Sequence, residues 1–154
     1  MEGFGSLIYL RNIPFLNLNA MHHYISGAYH RLKEAERAKI TEAVTLANAN
    51  SAGGTIRLHF DKNCDLAVLD RAAEIFNLFS MNHTALQNSV LIYVSMQEKK
   101  FVILGGQGIN QFVPEGFWDE MATNMTIYFK SNNFAKAMIE GVETVSKIIQ
   151  KHVL

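Results

Sequence analysis

Apolar positions in this chain recur with two periods, and the switches between them mark out the elements. From Leu32 the pattern is helical, with Ile40, Val44 and Ala47 at i, i+4 and i+7. It stops in the turn-rich stretch NANSAGG, residues 48–54. TIRLHF then alternates Ile56, Leu58 and Phe60 against Arg57 and His59, which predicts a first strand. Asp65 is placed to cap a second helix, in which Leu69, Ala73 and Phe76 share a face. After the polar stretch SMNHTALQN, the run SVLIYV reads as a buried strand. SMQEK is a turn and KFVIL a third strand, so the two runs form an antiparallel hairpin. Pro114 and Glu115 open a third helix with Phe117, Met121, Met125 and Tyr128 facing inward. KSNN breaks it, and Phe134, Met138, Gly141, Val145 and Ile148 line the last helix.

The order helix, strand, helix, strand, strand, helix, helix predicts an α/β fold. Its form is a three-layer α/β/α sandwich around a small mixed β-sheet with an antiparallel hairpin. The first two strands, joined through a helix, should run parallel by a crossover, and the third runs against them. The third strand therefore ends beside the starts of the other two. Three segments meet at that edge: residues 53–55, 84–89 and 105–108, the last being GGQG. The two longer loops must pass close to each other there.

A glycine-rich loop after a strand raises the question of phosphate binding. GGQG lacks the Gly-Lys-Ser/Thr ending that sets a lysine on a phosphate, and it lacks the spacing of a dinucleotide fingerprint. Backbone N–H groups there offer at best a weak anion nest, so turn chemistry is the better reading.

Composition narrows the class further. The chain has 154 residues, with 14 Lys and Arg balancing 14 Asp and Glu, so no basic footprint for nucleic acid is present. The length suits one domain. We read residues 1–31 as an N-terminal extension and 32–154 as the domain. The opening run FGSLIYLRNIPFLNLNAM is interrupted by Arg11, Asn12 and Pro14, short of the roughly 20 apolar residues a spanning helix needs. No transmembrane segment or export signal is expected. The extension is read as packing on its own domain or on an unknown protein partner. The single cysteine, Cys64, calls for no oxidising compartment, and the expected location is cytoplasmic.

The segments TIRLHF, NHTALQNSVLIYV, KKFVILGGQGIN, VPEGFWDEM and FAKAMIEGVETV together resemble the TPM domain family over about residues 32–153. Its members include a thylakoid lumen protein linked to photosystem repair and phosphatase activity, and many bacterial single-domain or membrane-tethered proteins. The resemblance implies an α/β/α sandwich whose crossing loops hold divalent cations, notably calcium, in bacterial relatives. Those relatives carry acidic residues at the positions of Thr55, Ala85 and Gly106, and an arginine at Gln87. Thr84, Asn88, Gly105 and Gly108 match. The departures converge on one corner, and all of them remove charge.

Calcium and magnesium are bound through carboxylate and carbonyl oxygens, and affinity follows the number of charged ligands. If each lost carboxylate is worth about tenfold, or about 1.4 kcal/mol, a micromolar site becomes roughly millimolar. At about 1 mM calcium the intact site would stabilise its protein by about 4.1 kcal/mol and the weakened one by about 0.4 kcal/mol. The expected binding region is Thr55, Thr84, Gln87, Asn88, Gly105, Gly106, Gln107 and Gly108, with no assigned metal ligand and room only for weak calcium or magnesium. The amides of Gln87, Asn88 and Gln107 are candidates to join the two loops.

Other chemistry-bearing residues have blander readings. His22, His23 and His30 lack a fourth soft ligand for zinc and are read as surface histidines. His59, Asp61 and Cys64 could make an imidazole-activated thiol, but packing is the preferred reading. Trp118 and its methionine stripe are core. Asp119 and Glu120 point in different directions and form no acid–base pair. The expected function is a non-catalytic binding or regulatory TPM module with a weakened or lost metal site. The alternative is a metal-dependent or acid phosphatase.

Overall fold

A computed structural model describes residues 24–49, 55–81 and 88–152. A four-stranded sheet in the order β1-β2-β3-β4 is built from β1 (Ile25–Gly27), β2 (Ile56–Asp61), β3 (Val90–Ser95) and β4 (Lys100–Gly105). β1, β2 and β3 run parallel, with Ser26 beside His59 and His59 beside Tyr93; β4 runs antiparallel to β3, with Val90 opposite Gly105. The predicted hairpin and the predicted parallel pair are both present.

The helices are α1 (Glu34–Ala49), α2 (Val68–Leu78), α3 (Gln107–Asn110), α4 (Phe117–Lys130) and α5 (Phe134–His152). On one face, Ile56, Leu58 and Phe60 pack with Val90, Ile92, Val94, Phe101 and Ile103 against the inward stripes of α1, α4 and α5. On the other, Leu91, Tyr93, Val102 and Leu104 meet Ala72, Ile75 and Phe76 of α2. The result is the expected three-layer sandwich. Fully burying one large apolar side chain contributes about 1.5–3 kcal/mol. Two hydrophobic layers, one on each side of the sheet, therefore supply its main packing.

Several details depart from the pattern reading. β1 and the 3-10 turn Ala28–Arg31 after it had no counterpart there, because three residues ending in Ser-Gly carry no strand periodicity. α2 starts at Val68 rather than at Asp65, and Ala67 precedes it without a side-chain cap. α4 starts after Gly116, whose φ of 82° turns the chain there, so Pro114 and Glu115 lie outside the helix. Its buried face is Trp118, Met121, Ala122, Met125 and Phe129, while Phe117 and Tyr128 sit half-buried at its margins. GGQG is not wholly loop, since Gln107–Asn110 forms one helical turn.

β2 carries the largest departure. Its alternation suggests an apolar and a solvated face, yet Arg57 is 2% exposed and His59 6%. A central strand covered on both sides has no wet face, so its polar side chains must find partners inside.

Candidate functional site

The start of β2, the start of β3 and the end of β4 form one edge, as the topology requires. The Val90 N–H donates to the Thr55 carbonyl at 2.8 Å, and the Gly106 N–H donates to the Ser89 carbonyl at 2.8 Å. Thr55, Asn88 and Ser89, Gly105 and Gly106 are thus brought together. Asn88 and Ser89 are buried, Gln107 is exposed and Gly108 is half-buried. Thr84 and Gln87, with Ala85, lie outside the described residues.

Neighbouring side chains brace this corner. The Asn110 amide donates to the Gly105 carbonyl at 3.4 Å, and its Oδ1 accepts the Trp118 indole N–H at 2.8 Å. The Asn110 N–H donates to the Gly106 carbonyl at 3.2 Å. Trp118 therefore ties α4 to the loop after β4. Gly106 has φ −67° and ψ 168°, a conformation open to any residue, so nothing in the backbone there demands glycine.

The donor set can be tested against a divalent cation. Hard oxygens are present, but the side chains of Thr55, Asn88, Ser89 and Gln107 are neutral, and the carbonyls of Thr55, Ser89, Gly105 and Gly106 already accept protein hydrogen bonds. The Ser89 hydroxyl, fully buried, has no hydrogen-bond partner among the described residues. Among the described residues, no group of three or more His, Cys, Asp or Glu side chains is placed to hold a metal. One orphaned hydroxyl and shared carbonyls fit a doubly charged ion poorly.

The α2-side face of β2 is built differently. α2 packs over β3 and β4, and on the same face β1 and β2 present Ser26, Arg57, His59 and Asp61. Asp61 is the hub. Its carboxylate accepts from Arg71 Nε at 2.8 Å, from the Tyr93 hydroxyl at 2.7 Å and from His59 Nε2 at 3.1 Å. His59 Nδ1 lies 2.7 Å from the Ser26 hydroxyl, and the two rings of His59 and Tyr93 stack at 6.0 Å. The Arg57 guanidinium lies over the Phe79 ring at 3.6 Å and reaches Ser26 Oγ at 3.4 Å.

These contacts set the ionisation states. Burial pushes the Asp61 carboxyl up, but hydrogen bonds from Arg71 and Tyr93 and the charges of His59 and Arg71 outweigh it, leaving the group below its ordinary range. Burial lowers His59, and the Arg71 and Arg57 charges add to this, against the pull of Asp61. Burial also brings Arg57 down to about 10. Burial and the Cys64 and Asp61 contacts raise Tyr93, so its hydroxyl stays protonated and donates.

The sequence pairing of His59, Asp61 and Cys64 is therefore met in part. His59 and Asp61 do meet, but the Cys64 thiol donates to the Leu66 carbonyl at 3.1 Å, and the imidazole's other partner is Ser26. Ser26 lies 33 positions away and enters only through the β1–β2 register. The available signal was three polar residues, Arg57, His59 and Asp61, alternating along a strand that has to be central. Elsewhere, His30 sits exposed in the 3-10 turn, while His22 and His23 fall outside the described residues; Asp119 and Glu120 are exposed at the start of α4. No helix among the described residues is long and apolar enough to cross a membrane.

Comparison with known proteins agrees with this architecture. The chain is similar to the BA42 protein of the psychrophilic bacterium Bizionia argentinensis, known from an NMR structure. The two are 35% identical, the match covers 80% of this chain and 85% of that one, and the TM-score is 0.72. The N-terminal domain of a P. gingivalis protein shares the fold at 16% identity and a TM-score of 0.67, covering 83% of this chain and 82% of its own. So does the N-terminal domain of protein cg2496 from Corynebacterium glutamicum, at 12% identity, TM-score 0.64, and coverage of 89% and 86%. No curated protein matches. The TPM domain profile matches residues 28–148, and with that span the chain belongs to the TPM domain family.

Proposed function

We propose that this TPM domain acts at its crossing-loop edge as a binding or regulatory module, with a divalent-metal site weakened or lost. The observation that carries this reading is the chemistry of the corner. Its described side chains are neutral and its carbonyls are already engaged. Phosphoryl transfer needs clustered metals or cationic stabilisation of the transferring group, which this set of amides and hydroxyls does not supply. Hydrophobic layers on both sides of the sheet support a fold that stands without an ion. Residues 1–31 are the proposed contact for a protein partner, and the cytoplasm, which matches the lone cysteine, is the proposed location.

Calcium titration calorimetry on two proteins tests the reading. The parent should give no heat of binding at micromolar calcium. Thr55→Glu, Ala85→Glu and Gly106→Asp introduced together should create binding tighter by about a thousandfold, three charged ligands at about tenfold each. Micromolar binding by the parent would overturn it.

A further inference from the structure

The polar row on the β1–β2 half of the α2 face joins a hydroxyl, an imidazole and a carboxylate in series. The ionised Asp61 accepts a proton-bearing nitrogen, so His59 carries its hydrogen on Nε2 and presents Nδ1 as an acceptor. The Ser26 hydroxyl must then donate to Nδ1, and its lone pairs face the Arg57 guanidinium. The bonds from Arg57 to Ser26, from Ser26 to His59 and from His59 to Asp61 run in one direction. Arg71 and Tyr93 fix the carboxylate, and the carboxylate fixes the ring.

Access to the row comes from β1. Ser26 is half-buried on an edge strand, whereas His59 behind it is closed off. The next residue, Gly27, has a φ of 84°, and a Cβ there would lie 2.9 Å from His59 Cε1 and Nε2. It would also lie 2.0 Å from the Phe60 carbonyl, so only glycine lets β1 approach β2 and the imidazole this closely.

We propose that Ser26 is a nucleophile activated by His59 and oriented through Asp61, and that it takes an acyl group from a carboxylic ester. Ser26 Oγ forms a bond to the acyl carbon while its proton passes to His59 Nδ1. The resulting imidazolium is held at Nε2 by Asp61. The negative charge gathering on the carbonyl oxygen faces Arg57, a single fixed cation that Phe79 keeps in place. The C–O bond to the leaving alcohol then breaks, and the alcohol departs with the proton from Nδ1. Water repeats the two steps and releases the acid. One cation beside one hydroxyl matches the single oxyanion of acyl transfer better than the several charged oxygens of a phosphoryl group. His59 is neutral at neutral pH because burial holds its pKa down, so the base is ready. The row runs along β2 from Arg57, two residues from Thr55, to Asp61 at the far end; the inference uses no crossing-loop residue and does not rest on the binding role proposed for those loops.

The test is labelling of the full chain with a fluorophosphonate probe, read by intact mass and peptide mapping. The expected result is one adduct per chain on Ser26, absent in Ser26→Ala, which keeps the fold. In His59→Gln it should form at least ten times more slowly. The labelling rate should rise with pH through one ionisation below 6.5, that of His59, which faces Arg57 and Asp61 on its own strand, Tyr93 on β3 and Arg71 on α2. Hydrolysis of p-nitrophenyl butyrate should fall with the same variants. No adduct under conditions that saturate a serine hydrolase, or an adduct that survives Ser26→Ala, would overturn the proposal and leave the row a structural latch. Those outcomes are read on the parent and on Ser26→Ala, so failure of His59→Gln to fold does not blur them.

Discussion

The two ends of β2 answer one electrostatic problem in opposite ways. At its start, around Thr55, the corner holds itself together with neutral backbone and amide contacts. At its finish, Asp61 is surrounded by Arg71, His59 and Tyr93 and has its charge satisfied inside the protein. A carboxylate without such partners would need an ion from solvent. Here Arg71 and the Tyr93 hydroxyl stand at the end away from Thr55, and the described residues of the corner carry no carboxylate. The contrast teaches that one strand can close one end with backbone contacts and the other with a satisfied charge.

Removing the hub should cost most. Asp61→Ala takes the carboxylate from His59, the Tyr93 hydroxyl and Arg71, which keeps Glu74, and breaking a partly buried charged network of this kind costs about 3–5 kcal/mol. Urea denaturation should show it as a lower midpoint with an unchanged slope. Breaking the neutral corner should cost less. Asn110→Ala strips the Trp118 indole, 9% exposed, of its acceptor. One unsatisfied buried donor is worth about 1–3 kcal/mol. If the two variants exchanged rank, the contrast between the ends would fail.

Acid should act on the charged end alone. His59 has a folded pKa below its ordinary 6.5, so below that value the unfolded chain binds more protons and stability falls as pH falls. Asp61 is also depressed below its ordinary 3.8; its contribution is present above that value and is lost as pH drops through the folded pKa. Melting temperature should therefore decline in two windows, one below about 6.5 and one below about 3.8. His59→Gln should flatten the first window, and Asn110→Ala should leave both in place. Melts at stepped pH in constant ionic strength check this.

The sequence exposed the parts of this arrangement that follow from local periodicity. Ile56, Leu58 and Phe60 announced β2, the short SMQEK turn announced the hairpin, and hairpin geometry placed the end of the third strand beside the starts of the other two. What stayed hidden depended on pairing across the sheet. β1 has three residues and no apolar run, so neither the strand nor the approach of Ser26 to His59 could be foreseen. Arg57 and His59 looked solvated because alternation reports two faces and not what covers them. The cap expected from Asp65 failed because the chain runs on in turns to Ala67 before the helical stripe begins. The candidate corner was legible for Thr55, Asn88 and Gly105–Gly108, while Thr84 and Gln87 lie outside the described residues.

The account stands most directly on the response of the unmodified protein to calcium. Thermal melts with about 1 mM calcium and with chelator should differ by no more than about 2 °C, the shift expected from about 0.4 kcal/mol. A rise of about 10 °C or more, matching a micromolar site, would mean that the neutral corner holds the ion after all.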